Sequence, residues 1–534
     1  MGVLIRQATE NDAAQWLDLL KASLGEDYPD RQIYDLSWIA SQLAPAVGHE
    51  TWAAETNGRL AASVSFLQPA SQTKNPVLNV GRQLFRPDSF KGGSAEALLT
   101  KINELGAERK QVIVARVGTA EREQQKLYEE LRYVCAGYQP FKHLHRVRLG
   151  TLFYVWFARP DMIPRQPISE SLSQVSELAA TVLATLKIPN PLTVRDGVTG
   201  YALQSDLQTQ EASYNDFALW RMQAQSTRPP TEISSGYHLG LGLLRTSGDG
   251  QVRAVLGKRY NNVVAGLAYL VDDRDRCVRL VDSFSTDDLS MGVLFHHVAR
   301  QAQEQLNAVY LEADILMTAP RLLKTAEQLG FVPVAYLPAF YYNADGHTDV
   351  VKMVKLNMAY SLENTPLSES SQVIVKVVDQ NFQDQKIGVA IINLLRGLPV
   401  FDGLGDGELR KIARLFTQKL FRPGEKVFAK GDSGNEAYVV MRGQIEIHLE
   451  DKSLPIATVG NGQIFGELAF LDGSPRVANA IANQASILLV IQRSAFNDLV
   501  QREPHLGMMV MRNIALELSG RLRRTNVVAA AAKR

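Results

Sequence analysis

Six glycines, Gly431, Gly434, Gly443, Gly462, Gly466 and Gly473, interrupt the C-terminal part of the chain at short intervals. Between them lie brief alternating segments: Lys426–Ala429, Glu436–Met441 and Gln444–Leu449. Strands this short, with a turn residue at every break, cannot build a long open sheet or a helical bundle. They predict a small antiparallel β-roll or jelly roll. Helical spacing brackets the roll, over Asp406–Leu415 before it and over Arg493–Gln501 and Leu506–Arg523 after it. The roll cannot be the whole molecule, because 534 residues exceed what one hydrophobic core supports and predict roughly three to four domains.

Inside the roll, the run from Phe465 through Gly466-Glu467-Leu468-Ala469 to Pro475-Arg476-Val477-Ala478 carries the chemistry of a cyclic phosphodiester site. Such a ligand has one negative charge. Arg476 offers it a guanidinium fork, and main-chain N–H groups following Gly466 offer it hydrogen bonds. Glu467 can accept from a ribose 2′-hydroxyl. The competing reading is a plain surface ion pair between Glu467 and Arg476 on a roll that binds nothing. The segment, together with LPVFDGL at 398–404 and RPGEKVF at 422–428, resembles the phosphate-binding cassette of the cyclic-nucleotide-binding family. The resemblance implies Arg476 on the phosphate, Gly466 and Glu467 on the ribose, and Leu468, Ala469, Val477 and Ala478 lining the pocket. It implies cyclic AMP as a regulatory ligand, with cyclic GMP left open, because Asn479 stands where the family often has Thr or Ser. It also implies a C-terminal helix that caps the base and often forms a dimer interface. Here that helix carries Leu506, Met509, Val510, Ile514, Leu516 and Leu518.

Upstream, residues 1–150 read as mixed α/β. A short strand begins at Val3, Thr9–Asp12 can cap a helix over Ala13–Ser23, and Asn57-Gly58 turns a hairpin. Helices are predicted over Ala95–Leu105 and Ala120–Leu131, with a strand over Gln111–Val117. Residues 236–357 repeat the order. Strands are predicted over Leu239–Arg245, Val252–Leu256, Val263–Val271, Cys277–Phe284, Ala308–Ala313, Val332–Tyr341 and Val350–Leu356, and helices over Gly292–Leu306 and Pro320–Leu329. Residues 151–235, rich in proline, read as a partly helical connecting segment. Residues 358–385 read as a polar linker whose second half can pair with a sheet, 386–526 as the roll domain, and 527–534 as a tail. The fold class is thus multidomain α+β.

The opening IRQATENDAAQWLDLL, the hairpin, LFRPDSFKGGSAEALL at 84–99 and LYEELRY at 127–133 resemble the GCN5-related N-acetyltransferase family. That resemblance implies an acyl-CoA pyrophosphate on N–H groups from Lys91, Gly92, Gly93, Ser94, Ala95 and Glu96, where a helix begins. Gly93 and Ala95 match the family pattern, and Phe90 stands where Arg or Gln is expected. It implies Tyr128 as general acid toward the leaving thiolate; the alternative is a tyrosine packing its ring on the sheet. Glu55 is one candidate base. The second unit resembles the same family through residues 310–342, but its loop Thr286–Met291 holds two acids and no glycine, which would repel a pyrophosphate. His296-His297 and His347 with Asp349 are candidate catalytic or metal groups there, although adjacent helical positions point apart. No metal site is assigned.

A formal net charge of +1 gives no global pull toward nucleic acid or anionic membrane. No helix-turn-helix pattern follows Arg523, no apolar run reaches a membrane span, and no signal peptide opens the chain. Two distant cysteines, Cys135 and Cys277, argue against a disulfide scaffold and fit a cytoplasmic location. Two functions stay open. One is a cyclic-nucleotide-regulated N-acyltransferase using acetyl-CoA or another acyl-CoA, with protein lysine as the implied acceptor. The other is a non-catalytic sensor whose transferase-like units serve as a scaffold for assembly or partner binding.

Overall fold

The computed structural model describes residues 2–28, 30–44, 49–67, 77–109, 112–144, 147–159, 163, 165–166, 170–189, 193–194, 198–224, 232–233, 251–343, 346–450 and 454–532. The strand expected over Leu239–Arg245 lies outside them. The chain divides into two compact units, Met1–Phe382 and Gln383–Arg534.

The first unit is built on one sheet. Its first half contributes β1 (Leu4–Gln7), β2 (His49–Thr56), β3 (Arg59–Leu67), β4 (Val77–Phe85), β5 (Val112–Gly118), β6 (Val134–Leu144) and β7 (Arg148–Phe157). Helices α1 (Ala13–Leu24), α2 (Leu36–Leu43), α3 (Pro87–Lys91), α4 (Ser94–Glu108) and α5 (Arg122–Glu130) alternate with them. A small piece follows: β8 (Glu170–Ser171) and β9 (Thr193–Val194) pair in parallel around α6 (Ser173–Thr185). The second half supplies β10 (Gln208–Ser213), α7 (Tyr214–Ala224), β11 (Gln251–Arg259), β12 (Asn262–Asp272), β13 (Cys277–Ser285), α8 (Met291–Glu304), β14 (Tyr310–Leu316), α9 (Pro320–Gln328), β15 (Val332–Asn343) and β16 (Gly346–Leu356).

The order across the sheet is β1-β2-β3-β4-β5-β7-β6-β15-β16-β14-β13-β12-β11-β10. Read inward from its two edges, each half gives the same sequence of strands, so the two halves are related by a pseudo-twofold at the β6–β15 seam. Ala335 pairs with Gly137 there, and a Cβ on Gly137 would collide with Ala335. In each half one pair is parallel and short. β4 meets β5 only over Val77–Val80, and β13 meets β14 only over Cys277–Leu280. A bulge near Arg82 (φ +48°) accompanies the divergence of β4, so the first half opens a wedge beyond Val80.

Three expectations change. The boundary at residue 150 falls inside β7, which is an internal strand of the sheet. Residues 208–224, expected in the connecting segment, belong to the second half as β10 and α7. In place of a linker able to pair with a sheet, the chain forms α10 (Glu369–Arg396), whose Ile374, Val375, Val378 and Phe382 are buried in the first unit's core.

A charged cluster lies at the seam. Glu312 on β14 is fully buried and accepts from Lys142 at 3.0 Å, from Gln139 at 2.6 Å and from Arg279. Lys352, also fully buried, contacts Asp314 and stands 3.8 Å from Glu312. Gln139 and Lys142 belong to the first half and Glu312 to the second, so the network ties the halves together. Cys135 and Cys277 are free and buried.

The second unit is the β-roll. One sheet runs β17 (Phe416–Phe421), β24 (Ser486–Gln492), β19 (Glu436–Arg442), β22 (Ile464–Phe465). The other runs β18 (Lys426–Phe428), β23 (Asn479–Ala482), β20 (Ile445–His448), β21 (Ala457–Val459). Every pairing among these strands is antiparallel. Helices α11 (Asp406–Ala413), α12 (Glu467–Asp472), α13 (Arg493–Arg502) and α14 (Pro504–Ala532) accompany them. Helix α14 continues past Arg523 to Ala532, through most of the expected tail. Leu506, Val510 and Ile514, four residues apart, are buried with Val400 and Phe401. Leu516, expected on that face, is 60% exposed.

Candidate functional site

In the roll, the Gly466–Ala478 segment folds into a compact cradle. Gly466 caps α12 with φ +76°, a left-handed conformation that favours glycine, and a Cβ there would lie 2.8 Å from Arg476 Nη1. Arg476 is 4% exposed. Its Nη1 donates to the Gly466 carbonyl at 2.7 Å and its Nη2 to the Glu436 carbonyl at 2.5 Å, while its Nε is buried without a partner. The guanidinium lies 4.2 Å from the centre of the Phe428 ring and 5.6 Å from that of Tyr438. Burial lowers its pKa, and among the described residues no carboxylate lies within ion-pair distance of it. The plain surface ion pair with Glu467 is therefore not formed.

Glu467 and Ala469 are buried, and Ala478 is 5% exposed, whereas Leu468 and Val477 are exposed at 50% and 60%. The N–H groups of Leu468 and Ala469 find no acceptor among the described residues. Glu467 also borders a narrow crevice with Val400, Ile464, Ile514, Glu517 and Leu518, which places α14 beside the cassette. Asn479 accepts from the Lys430 N–H at 2.9 Å and so ties β23 to the loop after β18. A buried cation with an unused N–H, beside free main-chain donors, can accept a phosphate. Sequence reasoning missed Phe428 and Tyr438. Their only signal was an aromatic residue on each of two short strands consecutive in the chain, one in each sheet of the roll.

A protein-family comparison matches residues 418–503 to the cyclic nucleotide-binding domain family. Residues 418–503 are a cyclic nucleotide-binding domain. Similar proteins include the cyclic AMP receptor protein of Thermus thermophilus, 32% identical over 136 residues, which are 25% of this chain and 61% of that protein. The cAMP-dependent protein kinase regulatory subunit of Yarrowia lipolytica is 30% identical over 20% of this chain and 28% of its own length. A solved cyclic nucleotide-binding domain from Methylobacillus flagellatus is 25% identical, covering 26% of this chain and 80% of that one with a TM-score of 0.24. The chain thus spans less than two thirds of the curated relatives it matches.

The first unit holds a second candidate site. Beyond Val80 the wedge between β4 and β5 contains a cavity of about 510 Å³. Gln83, Phe85, Phe90, Arg116, Gln124 and His143 are among the residues that line it. Lys91–Glu96 do not line it. They form the adjacent turn and the start of α4. Gly93 (φ +73°) is its N-cap, with open space where a Cβ would sit, and the N–H groups of Ser94, Ala95 and Glu96 have no acceptor among the described residues. Tyr128 is fully buried. Its ring stacks on Tyr154 and meets Tyr133 edge-on, and its hydroxyl donates to Gln83 at 2.7 Å. Burial raises its pKa. Glu55 pairs with Arg6 at 3.0 Å on the sheet edge and is not a cavity residue.

The second half differs at both equivalent places. Asp287 accepts from the N–H groups of Leu289 and Ser290 at 2.9 Å, which holds a carboxylate of the chain just ahead of α8. Tyr201 and Ala202 press on Gly292 so closely that a Cβ there would lie 2.4 Å from the Ala202 carbonyl oxygen. Ile233 bridges to Ile315 and Glu232 accepts from the Leu316 N–H, so a chain segment pairs with β14 in the splayed region. His297 stands 3.5 Å from Glu211. Asp349 holds Arg165, Tyr336 and the Ala339 N–H, and His347 faces the Ala339 carbonyl. Among the described residues no three metal-ligating side chains cluster, and no helix is long and apolar enough to cross a membrane.

Proposed function

We propose that this chain is an acyl-CoA-dependent N-acyltransferase of the GCN5-related type, regulated by cyclic AMP bound at the C-terminal roll. The roll residues proposed as contacts are Arg476 for the phosphate, Gly466 and Glu467 for the ribose, and Leu468, Ala469, Val477 and Ala478 for the pocket wall. The observation that carries the transferase reading is the contrast between the two half-sheets. The first leaves the start of α4 open beside a cavity, whereas in the second Tyr201 and Ala202 press on the start of α8 at Gly292, the Asp287 carboxylate lies just ahead of it, and the segment at Glu232 pairs with β14 in the splayed region.

Acyl-CoA would supply an activated thioester. The amides of Ser94, Ala95 and Glu96, with Lys91 nearby, suit a pyrophosphate. An acceptor amine in the wedge would attack the thioester carbonyl, the C–S bond would break, and the thiolate would take a proton. Tyr128 could donate that proton only after releasing Gln83. The scaffold reading is favoured by the burial of Tyr128 and by Phe90 at the pattern's basic position.

Gly93→Asp tests the loop. It adds a carboxylate where the pyrophosphate is placed and a side chain at a left-handed φ. Calorimetric titration of full-length protein should show acetyl-CoA affinity reduced about a hundredfold or more, with cyclic AMP affinity retained. Undiminished acetyl-CoA binding would remove Lys91–Glu96 from the site.

A further inference from the structure

The first-half cavity contains a cation that the protein does not neutralise. Arg116 is the first residue of β5 beyond its pairing with β4, and it lines the cavity. Its carbonyl accepts from Gln83 at 2.7 Å, but its guanidinium has no hydrogen-bond or ion-pair partner among the described residues. The charged groups that act on it are Arg279, Glu312, Asp314 and Asp275. Each acid is already engaged: Glu312 by Lys142 and Arg279, Asp314 by Lys352, and Asp275 by His143 and the Leu144 N–H. Burial and Arg279 lower Arg116 to about 10, so it stays charged at neutral pH.

Of the other polar groups that line the cavity, Arg82, Gln83 and Gln124 have protein partners, whereas the side chains of Glu121, Arg122 and Thr151 have none among the described residues, and burial raises the Glu121 pKa. Arg82 donates to Gln42, and Gln124 donates to Gln83 at 2.6 Å. Tyr28, Phe85 and Phe90 form an apolar wall. The cavity volume lies within the usual range for small-molecule sites. A guanidinium presents a planar fork that matches a carboxylate in two hydrogen bonds. A ligand that brings no anion would leave this charge uncompensated in a partly dry space.

We propose that the first-half cavity binds a small carboxylate on Arg116, and that this molecule is the acyl acceptor, a free amino acid or amino-carboxylate rather than a lysine on a protein surface. A lysine ammonium entering alone would approach Arg116 as a like charge, whereas an amino-carboxylate carries its own counter-charge. The acceptor role rests on the transferase reading; carboxylate binding does not.

The test is calorimetric titration of the full-length protein, without acetyl-CoA, against the standard amino acids and short mono- and dicarboxylates. Each binder is compared with its own carboxamide and with Arg116→Gln. At least one carboxylate should bind. Its amide should bind about tenfold more weakly or worse, and Arg116→Gln should lose about the same factor for the carboxylate alone. Acetyl-CoA affinity of the variant should be unchanged. The proposal is overturned if no carboxylate binds, if the amide binds as well, or if Arg116→Gln binds the carboxylate like the wild type. Should the variant fail to fold, the wild-type comparison of acid with amide decides. Carboxylate binding without acetyl-CoA binding keeps the cavity assignment and removes the transferase reading; the reverse outcome does the opposite.

Discussion

Replacing Arg476 by alanine is expected to abolish measurable cyclic AMP binding by the full-length chain. The side chain is buried, faces no carboxylate, and keeps its Nε without a partner, so its unused capacity is for an anion. A phosphate entering the cradle without that cation would be desolvated and unpaired, which costs about 3–5 kcal/mol, a loss of roughly two to four orders of magnitude in affinity. The variant also loses hydrogen bonds to the carbonyls of Gly466 and Glu436 and the stack on Phe428. Thermal unfolding must therefore accompany the titration, to separate lost binding from a lost roll. Arg476→Lys keeps the charge without the fork and should fall between the two. Equal affinity of wild type and Arg476→Ala would remove the phosphate assignment.

Glu312→Gln should destabilise the first unit by about 3–5 kcal/mol, measured by denaturant unfolding of the full-length chain. The substitution preserves shape and leaves Lys142 and Arg279 buried without their carboxylate, with Lys352 retaining only Asp314. Burial alone would raise the Glu312 pKa, but Arg279, Lys142 and Lys352 outweigh it and hold the carboxylate well below its ordinary range. A depressed folded-state pKa contributes stability that is complete above the unfolded value and lost as pH falls through the folded one. The deficit of the variant should therefore be constant from about pH 6 to 8 and shrink only in strong acid. A deficit below about 1 kcal/mol would mean that the seam is not held by this network.

Much of the secondary structure was legible because its periodicity is strong. The apolar runs at Val263–Val271 and Cys277–Phe284, separated by the polar turn Asp272–Arg276, and the helix expected over Ala95–Leu105 appear close to where they were expected. Strand β7 was not legible as part of the first half, because LGTLFYVWF is buried on both faces and carries no alternation. Strand β10, QTQEAS, sits at the sheet edge and has almost no apolar residue to betray it. The polar run through Ser371 masked α10, whose buried apolar residues begin only at Ile374. The cradle residues Gly466, Glu467 and Arg476 were legible because they lie within one short segment. Arg116 was not, because its charged surroundings come from β13 and β14, far along the chain, and no local pattern encodes a missing partner.

In the proposed function, nucleotide occupancy of the roll controls acyl-CoA binding in the first unit. A ligand shifts an equilibrium only through its different affinity for two states, and the resulting coupling is reciprocal. The deciding measurement is calorimetric titration of the full-length protein with acetyl-CoA, in the absence and in the presence of saturating cyclic AMP, with the reverse titration alongside. The account predicts that cyclic AMP changes acetyl-CoA affinity by about fivefold or more, and that acetyl-CoA changes cyclic AMP affinity by the same factor. Identical acetyl-CoA affinities with and without cyclic AMP, or no acetyl-CoA binding in either state, would contradict it.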